Sequence, residues 1–207
     1  MKFAASFVAL AAAGALGLGL SFRAPAVASM PASAADGAFT IDSVHSAVIF
    51  QIKHLNVSTS WGRFNEPRGE FYFDDANPEH SSIQVSVDVS KIDTANTKRD
   101  EHLRSPDFFA AKEYPTISFA STSVKKAGEG KFEVTGNLNV KGKSKEVTVV
   151  MTKVGEGPGM GGTTVSGYDT TLTIKRTDFG IDYGTQIVGD DVTLHISLEG
   201  GRGGKPQ

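Results

Sequence analysis

DTANTKRDEHLRSPDFFAAKEYPTISF, residues 93–119, sets a short polar helix between two alternating stretches and closes on a double aromatic and a Tyr-Pro step. Thr97 and Asp100 approximate a capping box, and Pro106, which has no N–H to donate, stops the helix. Arg99, Asp100, Glu101 and Arg104 read as a solvated charged face, with Leu103, Phe108 and Phe109 packing the segment down. On both sides of this cassette the dominant signal is period two, the mark of strands with one dry face. Ile83, Val85, Val87 and Val89 alternate with Gln84, Ser86, Asp88 and Ser90, and Val192, Leu194, Ile196 and Leu198 alternate with Asp191, Thr193, His195 and Ser197. Phe132, Val134, Leu138 and Val140 do the same, with Gly136 marking a bend or close approach. Similar runs occupy 44–54, 68–74, 116–125, 145–154 and 164–176, about eight strands in all. Turn chemistry at Asp75–Pro78, Ala127–Gly130, Lys141–Ser144 and Gly155–Gly162 makes neighbouring strands antiparallel. A second short helical turn is placed near Asn56–Ser60. Such strands must stack as two sheets or close on themselves, and the residues alone leave these nearly level.

The N-terminus has the layout of a secretory signal peptide: Lys2, an apolar stretch from Phe3 to Leu20, then small-x-small steps at Ala26–Ala28 and Ala32–Ala34. Residues 1–28 are therefore expected to be removed, with cleavage as late as Ala35, which sends the chain to the periplasm or outside the cell. Loss of Lys2 and Arg23 moves the formal charge from −2 to −4. This mildly acidic surface, without clustered Lys and Arg, argues against nucleic acid as a partner. With 0 cysteines there is no disulfide framework and no thiolate metal site. After Leu20 nothing is long and apolar enough to span a membrane as a helix.

Five histidines raise the question of a metal site. His45 and His54 have opposite parity on one strand, His195 lies on a polar face, and His80 sits in a turn, so no metal ligand set is expected. No catalytic residue is assigned either, because the chain has no Cys and no Gly-x-Ser-x-Gly elbow. The Gly155–Gly162 stretch runs into a strand instead of a helix, which excludes a dinucleotide loop and leaves a hairpin loop.

Several ordered motifs carry a resemblance. They are His45-Ser46, Phe50-Gln-Ile-Lys-His-Leu55, Val57-Ser-Thr59, Gly62-Arg-Phe-Asn65, Ile92-Asp-Thr94, Arg99-Asp-Glu-His-Leu-Arg-Ser105, Asp107-Phe-Phe109 and Tyr114-Pro-Thr-Ile-Ser-Phe119. In order and spacing they resemble the YceI-like family of extracytoplasmic proteins over residues 39–199, with 200–207 left as a flexible tail. The resemblance implies an all-β fold, an eight-stranded antiparallel lipocalin-like barrel with one or two short helices, which binds polyisoprenoids and similar long-chain lipids. Combined with the alternation, it implies an apolar lumen formed by Val48, Phe50, Ile52, Val85, Val87, Phe119, Leu138, Val149, Met151, Leu172, Ile174, Leu194 and Ile196. His54, Lys53, Arg63 and Trp61 are the candidates for a head group at the mouth. Trp61 departs from the small aliphatic residue expected there. The implied partner is a polyisoprenoid, isoprenoid quinone or fatty acyl chain, with no cofactor beyond it, and a homodimer is allowed. The competing reading is a fully packed barrel that serves as an envelope interaction module.

Overall fold

The structure, a computed structural model, describes residues 37–203. The expected signal peptide and residues 204–207 lie outside the described residues. Eleven strands form one antiparallel sheet: β1 (Phe39–Ile41), β2 (Ala47–His54), β3 (Ser58–Phe64), β4 (Arg68–Tyr72), β5 (Ser82–Asp88), β6 (Ile92–Asp93), β7 (Thr116–Gly128), β8 (Lys131–Val140), β9 (Lys143–Pro158), β10 (Thr164–Lys175) and β11 (Val188–Arg202). The helix α1 (Thr97–Arg104) lies between β6 and β7. Because β11 pairs with both β1 and β2, the sheet closes on itself. β1 with β2, β3 with β4, and β5 with β6 each make one broken stave, so the closed barrel has eight.

Each break has a local cause. Asp42 Oδ1 accepts from the Val44 amide (2.8 Å) and turns the chain out of the ladder, while Ser46 Oγ bonds the Glu199 backbone (3.0 and 3.1 Å) in place of the missing rungs. Pro67, buried between β3 and β4, has no N–H to offer a ladder. Asp88 accepts from the Ser90 amide (2.8 Å) and caps a 3-10 turn over Val89–Lys91.

The helical turn expected near Asn56–Ser60 does not form. Leu55 and Asn56 have φ of 52° and 56° in a turn closed by Val57 N–H donating to the His54 carbonyl (3.1 Å), and β3 begins at Ser58. Two positive φ values match the twist of the flanking strands, as hairpins require. The helix of the cassette forms as expected, but its cap is Asn96, whose side chain accepts from the Arg99 amide (3.0 Å), and not Thr97. Asp100 is not on a solvated face. It is buried and accepts from the amide and hydroxyl of Thr94, tying the helix to the end of β6. β11 continues to Arg202, so residues 200–202 belong to the barrel.

The two ends of the barrel differ. At the end holding the β1, β4 and β8 termini, Phe39 stacks on Phe71 at 5.4 Å, and Phe73 lies 4.5 Å from Tyr168 and 4.8 Å from Phe132. Phe132 and Val134 are wholly buried. Burial pushes the Tyr168 phenol up to about 12. Gly200 is required here, since a Cβ would come within 2.8 Å of the Phe71 ring. At the opposite end the helical cassette, the β2–β3 turn and the 176–187 connection surround a cavity.

Candidate functional site

The cavity holds about 370 Å³ and continues into a smaller one of about 90 Å³ toward the aromatic plug. Both fall on the dry face that the alternation of the strands defines. Val48, Val87, Leu138 and Leu194 line both spaces; Phe50, Ile52 and Ile174 line the outer one; Val85, Phe119, Val149, Met151, Leu172 and Ile196 line the inner one. The structure thus brings together all of the side chains expected in the lumen. Gly62 makes room for them: a Cβ there would sit 2.3 Å from the Phe50 ring, so only glycine lets that ring lie against β3.

The mouth matches expectation less well. His54 lines the cavity. Lys53 is exposed on the outer face and donates to Thr59 Oγ1 (3.0 Å), and Arg63 is likewise exposed. The reason is parity. His54 on β2, and Gly62 and Phe64 on β3, take the inward positions, so their immediate neighbours point out. Trp61 borders the rim, but its ring stacks at 5.7 Å on His195, which is on the outer face, and it is 51% exposed.

Beside His54, the charged groups that reach the cavity come from segments without a strand period. Arg176 begins the 3-10 turn Arg176–Phe179 and is 4% exposed. Its Nε donates to the Gly189 carbonyl (2.7 Å), Nη1 to the carbonyls of Ile181 and Tyr183 (both 2.8 Å), and Nη2 to that of Val188 (2.9 Å). Burial pulls its pKa below the ordinary guanidinium value, against the opposing fields of Asp190 and Asp182, yet an arginine in this range stays charged. The mouth therefore carries a buried positive charge whose hydrogen bonds run to neutral carbonyls. Arg99 also lines it, held by Nε donating to Thr94 Oγ1 (2.7 Å). His102 lines it too and pairs with Asp107 (2.9 Å), with its ring edge-on to Phe108 and Tyr183. Arg99 and His102 lie in the cassette motif from which the family resemblance starts. Nothing in the sequence around Arg176 marked it out, because its role depends on how the 176–189 chain folds around it.

On the outside of the barrel Asp42, His45 and Glu199 converge, with His45 Nδ1 2.8 Å from Asp42 Oδ2 and 3.9 Å from Glu199 Oε1. Parity along β2 gave no sign of this cluster, because Glu199 comes from β11 and His45 lies in the break before β2. The hydrogen bond that His45 Nδ1 donates to Asp42 raises the His45 pKa, and the same contact lowers that of Asp42.

Residues 39–200 match the family described as YceI-like domain. The chain is similar to a UPF0312 protein of Ectopseudomonas mendocina, 38% identical over 169 residues, covering 82% of this chain and 88% of that one. Among solved structures it is similar to Burkholderia cenocepacia BcnA, with a TM-score of 0.70 and 31% identity over 77% of this chain and 98% of that one. A polyisoprenoid binding domain from Saccharophagus degradans shares the fold, with a TM-score of 0.58 at 14% identity over 78% of this chain and 96% of that one.

Proposed function

The chain belongs to the YceI-like family, and from its lumen we propose that it is an exported binding protein that holds one long apolar chain, a polyisoprenoid, isoprenoid quinone or fatty acyl derivative, with the head group at the mouth. The observation that carries this reading is the cavity of about 370 Å³, lined by Val, Ile, Leu and Phe side chains and polar only at one end. Its size falls in the range of ligand pockets, roughly 300–1,000 Å³. Each methylene taken out of water contributes about 0.8 kcal/mol before ordering costs, so a chain of moderate length binds without a strong polar contact. The buried Arg176, which lines the same cavity as Arg99 and His54, favours an electron-rich head group such as a phosphate, a carboxylate or a quinone carbonyl. The Saccharophagus degradans domain, described as binding polyisoprenoids, gives precedent for such a chain in this fold. The apolar run from Phe3 to Leu20 supports export to the periplasm. The packed-barrel alternative is met by the plugged half of the molecule, while the other half is hollow, and this favours a binding protein over an interaction module.

The test is displacement of a fluorescent fatty acid from purified protein by a quinone or polyprenol. Ile174→Glu, which puts an unpaired carboxylate into the cavity, is expected to weaken binding at least about a hundredfold, because such a charge costs several kcal/mol to bury. Ile174→Ala is the control and is expected to keep most of the affinity. Equal binding by folded wild type and folded Ile174→Glu would contradict the reading.

A further inference from the structure

The barrel is not closed along its full height. Between β9 and β10 the ladder runs from Pro158 opposite Thr164 to Thr152 opposite Asp169 and stops there. On either side the sheet goes on: β8 pairs with β9 as far as Val140 opposite Lys143, and β10 with β11 as far as Lys175 opposite Asp191. Lys143–Met151 and Thr170–Lys175 therefore each have a strand neighbour on one side only. The top of this gap is filled from within, where Phe179 and Ile181 pack with Val147, Leu172 and Ile174. Outside, Lys145 faces Asp178 at 3.9 Å. Among the described residues no strand pairs with either edge between that filling and the last rung.

The unpaired edges have space on both of their faces. Thr170 and Ile196 line both the inner cavity and a groove of about 400 Å³ on the outer face. Val149 and Met151 on one edge and Thr170 and Leu172 on the other line the inner cavity, while Val150, Thr152, Asp169 and Thr171 on the same edges line the outer groove. The Thr170 hydroxyl, on one of these edges, is buried and has no hydrogen-bond partner among the described residues. The outer groove beside the gap has Ala47, Ile49 and Val150 among its walls, small or apolar side chains that can accept a hydrocarbon.

We propose that the window between β9 and β10 is a second opening of the ligand cavity, through which the far end of a bound chain leaves the barrel for the outer groove. The inference rests on the reading of the lumen as a lipid site and deepens it: the protein does not measure chain length. A sealed lumen rejects any chain longer than itself, because surplus methylenes must overpack the core or force the chain to fold back. With a window, surplus methylenes pass outward between Val149 and Leu172, and affinity levels off with length instead of falling.

The absence of native cysteines allows a direct test. Val150→Cys with Thr171→Cys places two thiols on opposite edges one outward-facing step beyond the last rung, where a disulfide would bar the window without entering the lumen. Binding of farnesol and of solanesol is then measured for wild type and for the double variant, oxidised and reduced. Wild type and reduced variant are expected to bind both. The oxidised variant is expected to keep farnesol and to lose affinity for solanesol by at least about tenfold. Thr171→Trp, which covers the window from outside without relying on a disulfide, is expected to show the same selective loss. Undiminished solanesol binding by the oxidised protein, with the disulfide verified, would overturn the window, as would a wild type that takes farnesol but refuses solanesol. A wild type that binds neither would overturn the lipid reading itself, and the window with it.

Discussion

The two halves of this barrel are built from the same staves yet packed by different rules. In the plugged half the inward positions go to Phe39, Phe71, Phe73, Phe132 and Tyr168, whose rings lie in contact across the whole lumen. In the open half the same alternation supplies Val48, Phe50, Ile52, Ile174 and Leu194, and the staves surround space. An eight-stranded barrel is just wide enough for side chains to fill or for one small ligand to enter. What sets one half apart is side-chain volume together with closure of the ladder: aromatic rings fill one end, while aliphatic side chains and unpaired segments of β9 and β10 keep the other hollow. On the proposed reading stability is concentrated in one half and binding in the other, and substitutions should divide accordingly.

The sharpest way to break this comparison is to empty the plug. Phe132→Ala removes a wholly buried ring and is expected to cost about 3–5 kcal/mol, read as a lower denaturant midpoint. Where the variant is still folded its affinity for an apolar probe should stay close to wild type. A large loss of binding at low cost in stability would show that the plug belongs to the site.

An intermediate effect is expected at the boundary between the halves and the cassette. Phe109 lines the cavity and is only half-buried, in edge contact with Phe64 at 5.7 Å. Phe109→Ala should therefore cost clearly less than Phe132→Ala and also enlarge the lumen, so a bulkier apolar probe should bind the variant more tightly than wild type. Equal losses of stability at Phe109 and Phe132 would mean that the cassette is core and not the wall of a site.

The smallest effect lies on the outer seam, where His45 joins Asp42 and Glu199. The folded-state pKa of His45 is raised, so its contribution is fully present below the ordinary imidazole value of about 6.5 and is lost as pH rises through the higher folded value. His45→Ala should lower Tm slightly in mild acid and leave it unchanged in mild base, with probe binding unaffected at both. A larger loss in base than in acid would contradict the assigned pairing.

These contrasts also show what was readable from the residues. The lumen is legible in the residues because period-two alternation is a local property, written into 83–89, 132–140 and 192–198. The broken staves were harder to see. β3 has only Gly62 and Phe64 in its buried inward positions, and a glycine that makes room for the Phe50 ring does not register as an apolar residue. The turn at Leu55–Asn56 lacks the glycine that usually marks this geometry, so it read as helix. Lys53 and Arg63 are candidates for the mouth as cations in the motifs, and strand parity sends both outward. Arg176 was invisible because four backbone carbonyls from a non-repeating segment, and not a motif, hold it. The different character of the two halves depends on which rings meet across the barrel, a non-local fact that no single strand records.

The central claim, that the hollow half is a binding site for an apolar chain, is tested most directly by gentle purification of the protein, extraction with organic solvent and mass spectrometry of the extract. The account predicts a stoichiometric long-chain lipid in wild type, retained in Ile174→Ala and lost in folded Ile174→Glu. Wild type that is folded, monodisperse and free of lipid, even after incubation with quinones, polyprenols and fatty acids, would contradict it.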